Sequence, residues 1–209
     1  MNKTWIVLGV SVILVAIIFG SKLFSEKPVE KEPEEQKTVD LYDSYIQNSY
    51  DAPTREEVLQ ALDQWAKGII AISSAYENKG DYKAVATEFI KKTYNYDNGL
   101  VLFKPTMAIK TPFRTTFEGA LSYFTDINTH PDFEEDIGFA LNNWVSINYD
   151  IIGIIYDTNR ALVQTKVTFT KADDTRIKTY FSMSFTRKTR NDDLKIDLHH
   201  SSIPHTKKH

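Results

Sequence analysis

The sequence contains no cysteine. Disulfides, thiolate metal sites and a cysteine nucleophile are therefore excluded, and the absence fits an exported protein that avoids stray oxidation. There is no basic block, and the formal net charge is −3, which argues against nucleic acid as a partner. The histidines show neither H-x-H nor H-E-x-x-H spacing, so the chain lacks the short patterns that bring two imidazoles onto one zinc ion. What is present is 209 residues, enough for one ordinary domain and some extra chain. Aromatics make up 12%, as suited to lining a cavity as to filling a solid core.

Residues 5–19 are almost unbroken apolar sequence, preceded by Lys3 and followed by Gly20, Ser21 and Lys22. The stretch reaches the short end of the roughly 17–25 residues that span a bilayer. Residues 18–22 supply a poor version of the small-residue pattern that a signal peptidase needs. We read residues 1–25 as a transmembrane anchor or signal segment and favour an uncleaved single-pass anchor. The domain then sits outside the cytoplasm, on the periplasmic or extracellular face, and is secreted if the segment is cleaved. Residues 26–52 form a charged linker, with Pro28, Pro33 and a run of Glu and Lys that offers no apolar face to bury. Within it, residues 41–50 carry apolar side chains suited to docking on the domain surface.

The domain spans residues 53–209. Thr54-Arg55-Glu56-Glu57 is a capping box, and Val58, Leu62, Trp65, Ile69, Ile72 and Tyr76 then recur at helical steps. Gly80 marks the end of this long helix. Asp81 caps a second one through Val85, Phe89 and Ile90. Asn98-Gly99 makes a turn, and residues 100–109 read as a strand broken by Pro105. Thr115 to Glu118 is a second capping-box candidate, opening a short helix with Phe117, Leu121 and Phe124 on its apolar side. Arg114 and Glu118 are spaced as an i, i+4 ion pair. Residues 126–136 form a polar loop containing His130. Strands follow at 139–149, 151–156, 161–170, 178–187 and 194–202, separated by turn residues. Helices first and antiparallel strands after is an α+β order. The expected fold is a cone-shaped, curved antiparallel sheet wrapped around the long N-terminal helix.

The last strand bears on chemistry. Leu194, Ile196 and Leu198 alternate with Lys195 and Asp197, and side chains on a strand alternate faces with period two. Continued, the alternation points His200 and Ser202 inward and His199 and Ser201 outward. An imidazole and a hydroxyl at the end of a core-facing row either satisfy each other or line a wet pocket, because unpartnered buried polar groups are costly.

The order of elements resembles the nuclear transport factor 2-like superfamily, including the association domain of calcium/calmodulin-dependent kinase II. More narrowly, Phe103-Lys104-Pro105-Thr106, Phe113-Arg114, Ser122-Tyr123-Phe124, Asp136-Ile137-Gly138 and His199-His200-Ser201-Ser202-Ile203-Pro204 resemble the iota-class carbonic anhydrases over residues 53–204. The residues Asn142-Asn143 before Trp144 depart from that pattern, which bears on the pocket rim. The resemblance implies reversible hydration of carbon dioxide to bicarbonate, independent of metal, with bicarbonate held in the cone by a threonine, a tyrosine, a serine and a histidine. Carried over by motif, these are Thr106, Tyr123, Ser202 and His200. Tyr94, Tyr96 and Tyr180 stand beside Tyr123 as tyrosines able to reach the hollow. Pairing of such cones through the outer sheet face implies a homodimer.

Without a metal, the attacking water must lose its proton to a positioned base, and hydroxyl donors must hold the forming bicarbonate. His200, with an ordinary pKa near 6.5, fits the acceptor or shuttle; Thr106, Tyr123 and Ser202 fit the donors. Zinc or another divalent metal is the disfavoured alternative, since His199 and His200 point to opposite faces and His130, His205 and His209 lie in a loop and the tail. A non-catalytic cone that binds a small ligand or assembles partners is the competing function. Isomerase chemistry is weaker, because its candidate bases Asp126 and Asp136 fall in or beside a polar loop.

Overall fold

A computed structural model of the chain describes residues 52–126 and 131–204. The expected anchor, nearly all of the linker, and His130, His205 and His209 lie outside the described residues. Among the described residues no helix is long and apolar enough to cross a membrane.

The first capping box forms as expected. The Glu57 amide donates to Thr54 Oγ1 at 3.2 Å and the Thr54 amide to the Glu57 carboxylate at 2.7 Å, starting helix α1 (Arg55–Glu77). Its apolar stripe, Val58, Leu62, Trp65, Ile69 and Ile72, is buried, while Tyr76 at the far end is exposed. The helix ends at Glu77, shortly before Gly80, whose amide donates to the Ala75 carbonyl at 2.8 Å, and the left-handed residue between them is Lys79 (φ 57°). Helix α2 (Tyr82–Thr93) is capped by Asp81, whose Oδ1 accepts from the Ala84 amide at 3.0 Å. It crosses α1 at Gly68: a Cβ there would meet the Phe89 ring at 2.1 Å, so the missing side chain sets the interhelical distance.

The sheet comprises β1 (Leu102–Lys104), β2 (Trp144–Asp157), β3 (Arg160–Lys171), β4 (Arg176–Thr186) and β5 (Lys195–Ser202), in the order β1-β5-β4-β3-β2. The α+β class stands, with one correction. β1 runs parallel to β5, so the five-stranded sheet is mixed rather than wholly antiparallel. β1 is short because Pro105, which has no amide to donate, follows it at once. Helix α3 (Phe117–Thr125) begins one residue later than expected: Thr116, not Thr115, accepts from the Gly119 amide at 3.1 Å.

The expected strands 139–149 and 151–156 are a single strand, β2, preceded by a 3-10 turn (Phe139–Leu141). Irregularities at Trp144/Ser146 and Ile151/Gly153 let it change parity. Ile147 and Tyr149 face the core before the second irregularity, Ile154 and Tyr156 after it. The Asn142-Asn143 pair has a local cause. Asn143 takes the left-handed conformation (φ 54°), which asparagine tolerates better than most residues, and the Asn142 amide donates to the Gly138 and Phe139 carbonyls. Helix α1 lies on the inner face of the sheet, with Trp65 edge-on to Phe169 and Phe181.

Candidate active site

β5 decides what enters the space between α1 and the sheet. Its ladder with β4 pairs Phe185 with Ile196 and Ser184 with Leu198, which leaves Asp197 unopposed. One extra residue on a strand reverses the alternation beyond it. Ile196 is buried before the bulge; His199 and Ser201 are buried after it, at 2% and 4% exposure. His200 is exposed and Ser202 half-buried on the outer face, where they line a groove with Lys166 and Tyr180. The inward orientation expected of His200 and Ser202 is therefore corrected. Asp197 turns out toward Arg160, its Oδ2 accepting from Nη2 at 2.7 Å.

The His199 ring sits in an aromatic box. It stacks on Phe103 at 5.0 Å between centroids and meets the edges of Phe181 at 4.6 Å and Trp65 at 5.5 Å. Its Nδ1 lies 2.9 Å from the Tyr94 hydroxyl, which accepts from Trp65 Nε1 at 3.0 Å. Among the described residues, Nε2 is buried with no hydrogen-bond partner. Burial, with the neighbouring His200 adding to it, lowers the His199 pKa from 6.5 to about 3, because a water-excluded site penalises the charged ring. The ring is neutral at physiological pH.

Ser201 Oγ lies 2.6 Å from Thr106 Oγ1. Thr106 follows the Pro105 that ends β1, and the loop beyond it is tied down by Glu135, whose carboxylate accepts the amides of Ile109, Lys110 and Thr111 at 2.8–3.1 Å. Those bonds, with the Arg114 charge, outweigh the effect of burial and hold the Glu135 carboxyl below its ordinary pKa. Tyr123, on α3, is 5% exposed and stacks on Phe139 at 5.5 Å. Burial raises its pKa, partly offset by the Met107 amide, so the phenol keeps its proton.

Thr106, Tyr123, His199, Ser201 and Thr179 line one cavity, closed by the rings of Trp65, Phe103 and their neighbours. The hollow is narrower than expected. Aromatic side chains fill most of it, and about 10 Å³ stays open to the centre of a water, room for about one water molecule. Of the residues assigned by motif, Thr106 and Tyr123 meet in this cavity while His200 and Ser202 do not; their neighbours His199 and Ser201 take those places. Of the other tyrosines, Tyr94 reaches His199, Tyr96 donates to the Arg114 carbonyl at 2.7 Å, and Tyr180 stands on the outer face.

Sequence reasoning missed Thr179, one of several hydroxyl residues along β4 with nothing local to single it out. It also mispaired Arg114, which is not on a helix with Glu118. The guanidinium is fully buried, donates to Asp136 Oδ1 at 2.7 Å and lies 4.5 Å from the Phe133 ring centroid. Ser122 donates to the other Asp136 oxygen at 2.7 Å. This cluster pins α3 and the Thr106 loop to the turn that carries Glu135. No group of three His, Asp or Glu side chains suited to a metal ion occurs among the described residues.

The family model for "Metal-independent carbonic anhydrase" matches residues 56–203, helix α1 through the His-His-Ser-Ser segment. The chain belongs to this family, the iota-class carbonic anhydrases. A "Metal-independent carbonic anhydrase" of Nostoc sp. (strain PCC 7120 / SAG 25.82 / UTEX 2576) is 38% identical over 157 residues, covering 74% of this chain and 75% of that relative. The crystal structure of the iota-carbonic anhydrase from a cyanobacterium complexed with bicarbonate superposes with a TM-score of 0.71 at 37% identity, over 75% of this chain and 96% of that one. As a carbonic anhydrase of this class, the chain catalyses the reversible hydration of carbon dioxide to bicarbonate without a metal cofactor.

Proposed function

We propose that hydration takes place in the cavity bounded by α1, α3 and β5, with Thr106, Ser201, Tyr123 and His199 around the reacting atoms. The observation that carries this reading is the 2.6 Å contact of the Thr106 and Ser201 hydroxyls beside the unpartnered Nε2 of His199. Carbon dioxide is apolar as a whole and suits an aromatic slot once the surrounding rings draw back, since the cavity as it stands holds about one water. The water that attacks it is polar and needs partners of its own. In the hydroxyl pair one member donates to the other, which leaves one O–H and several lone pairs to hold and orient that water. Tyr123, kept protonated by burial, donates to the oxygen on which negative charge grows. Such a donor is worth most where water is excluded.

Stopped-flow hydration assays on single variants test the assignment. Ser201→Ala should lose about 100- to 1,000-fold in kcat, the usual cost of removing one aimed donor, and His199→Ala should also be severely impaired. Ser202→Ala and His200→Ala should stay near the parent. The reverse ranking would move the chemistry to the outer groove and refute the assignment.

The same reading takes the sheet to curve around α1 as a cone, helped by the bulges in β2 and β5. It takes residues 1–25 to anchor the domain outside the cytoplasm, supported by the hydropathy of residues 5–19. It pairs two copies through the outer sheet face, where Ile152, Ile155 and Leu162 are exposed. Membrane fractionation of the full chain tests the anchor and light scattering the pairing: recovery in the soluble fraction, or a monomeric mass, would remove each.

A further inference from the structure

The hydrogen bonds behind His199 assign its protons. An indole N–H donates and never accepts, so Trp65 Nε1–H gives its proton to the Tyr94 oxygen at 3.0 Å. A phenol carries a single proton, and the nearest acceptor to Tyr94 is His199 Nδ1 at 2.9 Å. If Nδ1 carried a proton instead, the Tyr94 oxygen would receive two donors. Its own proton would then have no acceptor in a site with 0% exposure, an arrangement that folded proteins avoid. The satisfied arrangement runs one way only: Trp65 N–H to Tyr94 oxygen, Tyr94 O–H to His199 Nδ1. The imidazole proton then sits on Nε2, the nitrogen without a protein partner.

We infer that Trp65 and Tyr94 lock His199 in its Nε2–H tautomer, so that the histidine acts on the substrate as a hydrogen-bond donor and not as the base that deprotonates water. This rests on the reading that places the reaction in the cavity His199 lines. Trp65 and Tyr94 are positioning residues, since they reach the reacting atoms only through the ring. The aromatic box supports the assignment: a ring held neutral by burial, with a pKa of about 3, is a poor proton acceptor at neutral pH.

The proton of the attacking water then takes another path. The oxygen of the water bonds to carbon as one C=O π bond of carbon dioxide opens. The water proton passes to the Thr106–Ser201 hydroxyl pair, and the pair hands its own proton to an oxygen of the substrate. His199 Nε2–H steadies the other substrate oxygen throughout. The product is carbonic acid, which loses its proton in solvent to give bicarbonate, and every protein group ends in its starting state.

The test is a two-bond 1H–15N correlation spectrum of the ligand-free full chain with 15N-labelled histidine, assigned by loss of signal in His199→Gln. In the parent, His199 should show a protonated Nε2 and an unprotonated Nδ1, unchanged between pH 5 and 8. Tyr94→Phe removes only the hydroxyl. It should mix the two tautomers and lower kcat by about 10-fold with little change in KM. A parent spectrum with Nδ1 protonated, or with an imidazolium at pH 7, overturns the inference, as does a Tyr94→Phe spectrum identical to the parent's. The tautomer is read without turnover. A locked Nε2–H ring in an enzyme indifferent to His199→Ala would therefore sink the site assignment and the donor role, and leave only the tautomer.

Discussion

Asp136→Ala should be among the most destabilising single changes in the domain. Asp136 Oδ1 accepts from Arg114 Nη2 at 2.7 Å, and the Arg114 side chain has 0% exposure. The substitution removes one partner of a buried ion pair and leaves the other charge in place, which costs about 3–5 kcal/mol. Two features of the site pull the value toward the lower end: Glu135 remains 3.7 Å from the same Nη2, and the guanidinium keeps its place over the Phe133 ring. The expected loss is about 3 kcal/mol, against a total of roughly 5–15 kcal/mol for an ordinary domain. Urea unfolding followed by tryptophan fluorescence measures it, since Trp65 and Trp144 are both buried. Lys67→Ala is the control. It breaks an ion pair of 3.5 Å whose side chains are 78% and 54% exposed, where solvent screening leaves about 0.3–0.5 kcal/mol. Should Asp136→Ala prevent folding, Ser122→Ala, which deletes only the donor to Oδ2, should still cost about 1 kcal/mol or more. A loss below about 1 kcal/mol in Asp136→Ala would refute the reasoning, because the guanidinium would then have water or another anion at hand.

Two further outcomes follow from the packing. The His199 pKa is depressed from 6.5 to about 3 on folding, so the unfolded chain takes up this proton first; stability should fall as pH drops below about 6.5, by up to about 1.4 kcal/mol per pH unit from this group, until pH nears 3. Urea midpoints between pH 7 and 4 should show a steeper slope for the parent than for His199→Gln, and equal slopes would show that the ring titrates normally. Gly68→Ala places a Cβ 2.1 Å from a Phe89 ring carbon and should cost about 1–3 kcal/mol by overpacking, read as a lower melting temperature. An unchanged melting temperature would mean that α1 and α2 separate more easily than their packing shows.

Features carried by neighbouring residues were legible in the sequence. The Thr54 capping box and the buried stripe from Val58 to Ile72 needed nothing beyond one helix turn of context, and both formed. So did the α+β order, because turn residues divide the strands whatever they later pair with. Thr106 and Tyr123 were reachable through their motifs. The partners of Arg114 were not: Asp136 lies 22 positions away in what reads as a polar loop, while Glu118 stands at helical spacing and drew the assignment instead. The parallel pairing of β1 was hidden for a similar reason, since three residues before a proline carry no mark of the strand they will join.

The sequence by itself determined the helices, the caps of the first two, and the set of groups to which we assign the chemistry: a threonine, a tyrosine, and a doubled histidine and serine near the end of the chain. Only the tertiary structure decided which histidine and which serine face the cavity. Period-two alternation holds along an unbroken ladder, and a bulge arises between two strands, in how β5 meets β4 around Asp197. One unpaired residue turned His199 and Ser201 inward, and the fold then set Tyr94, just past the end of α2, and Trp65, on α1, behind the imidazole from more than 100 positions away in the chain.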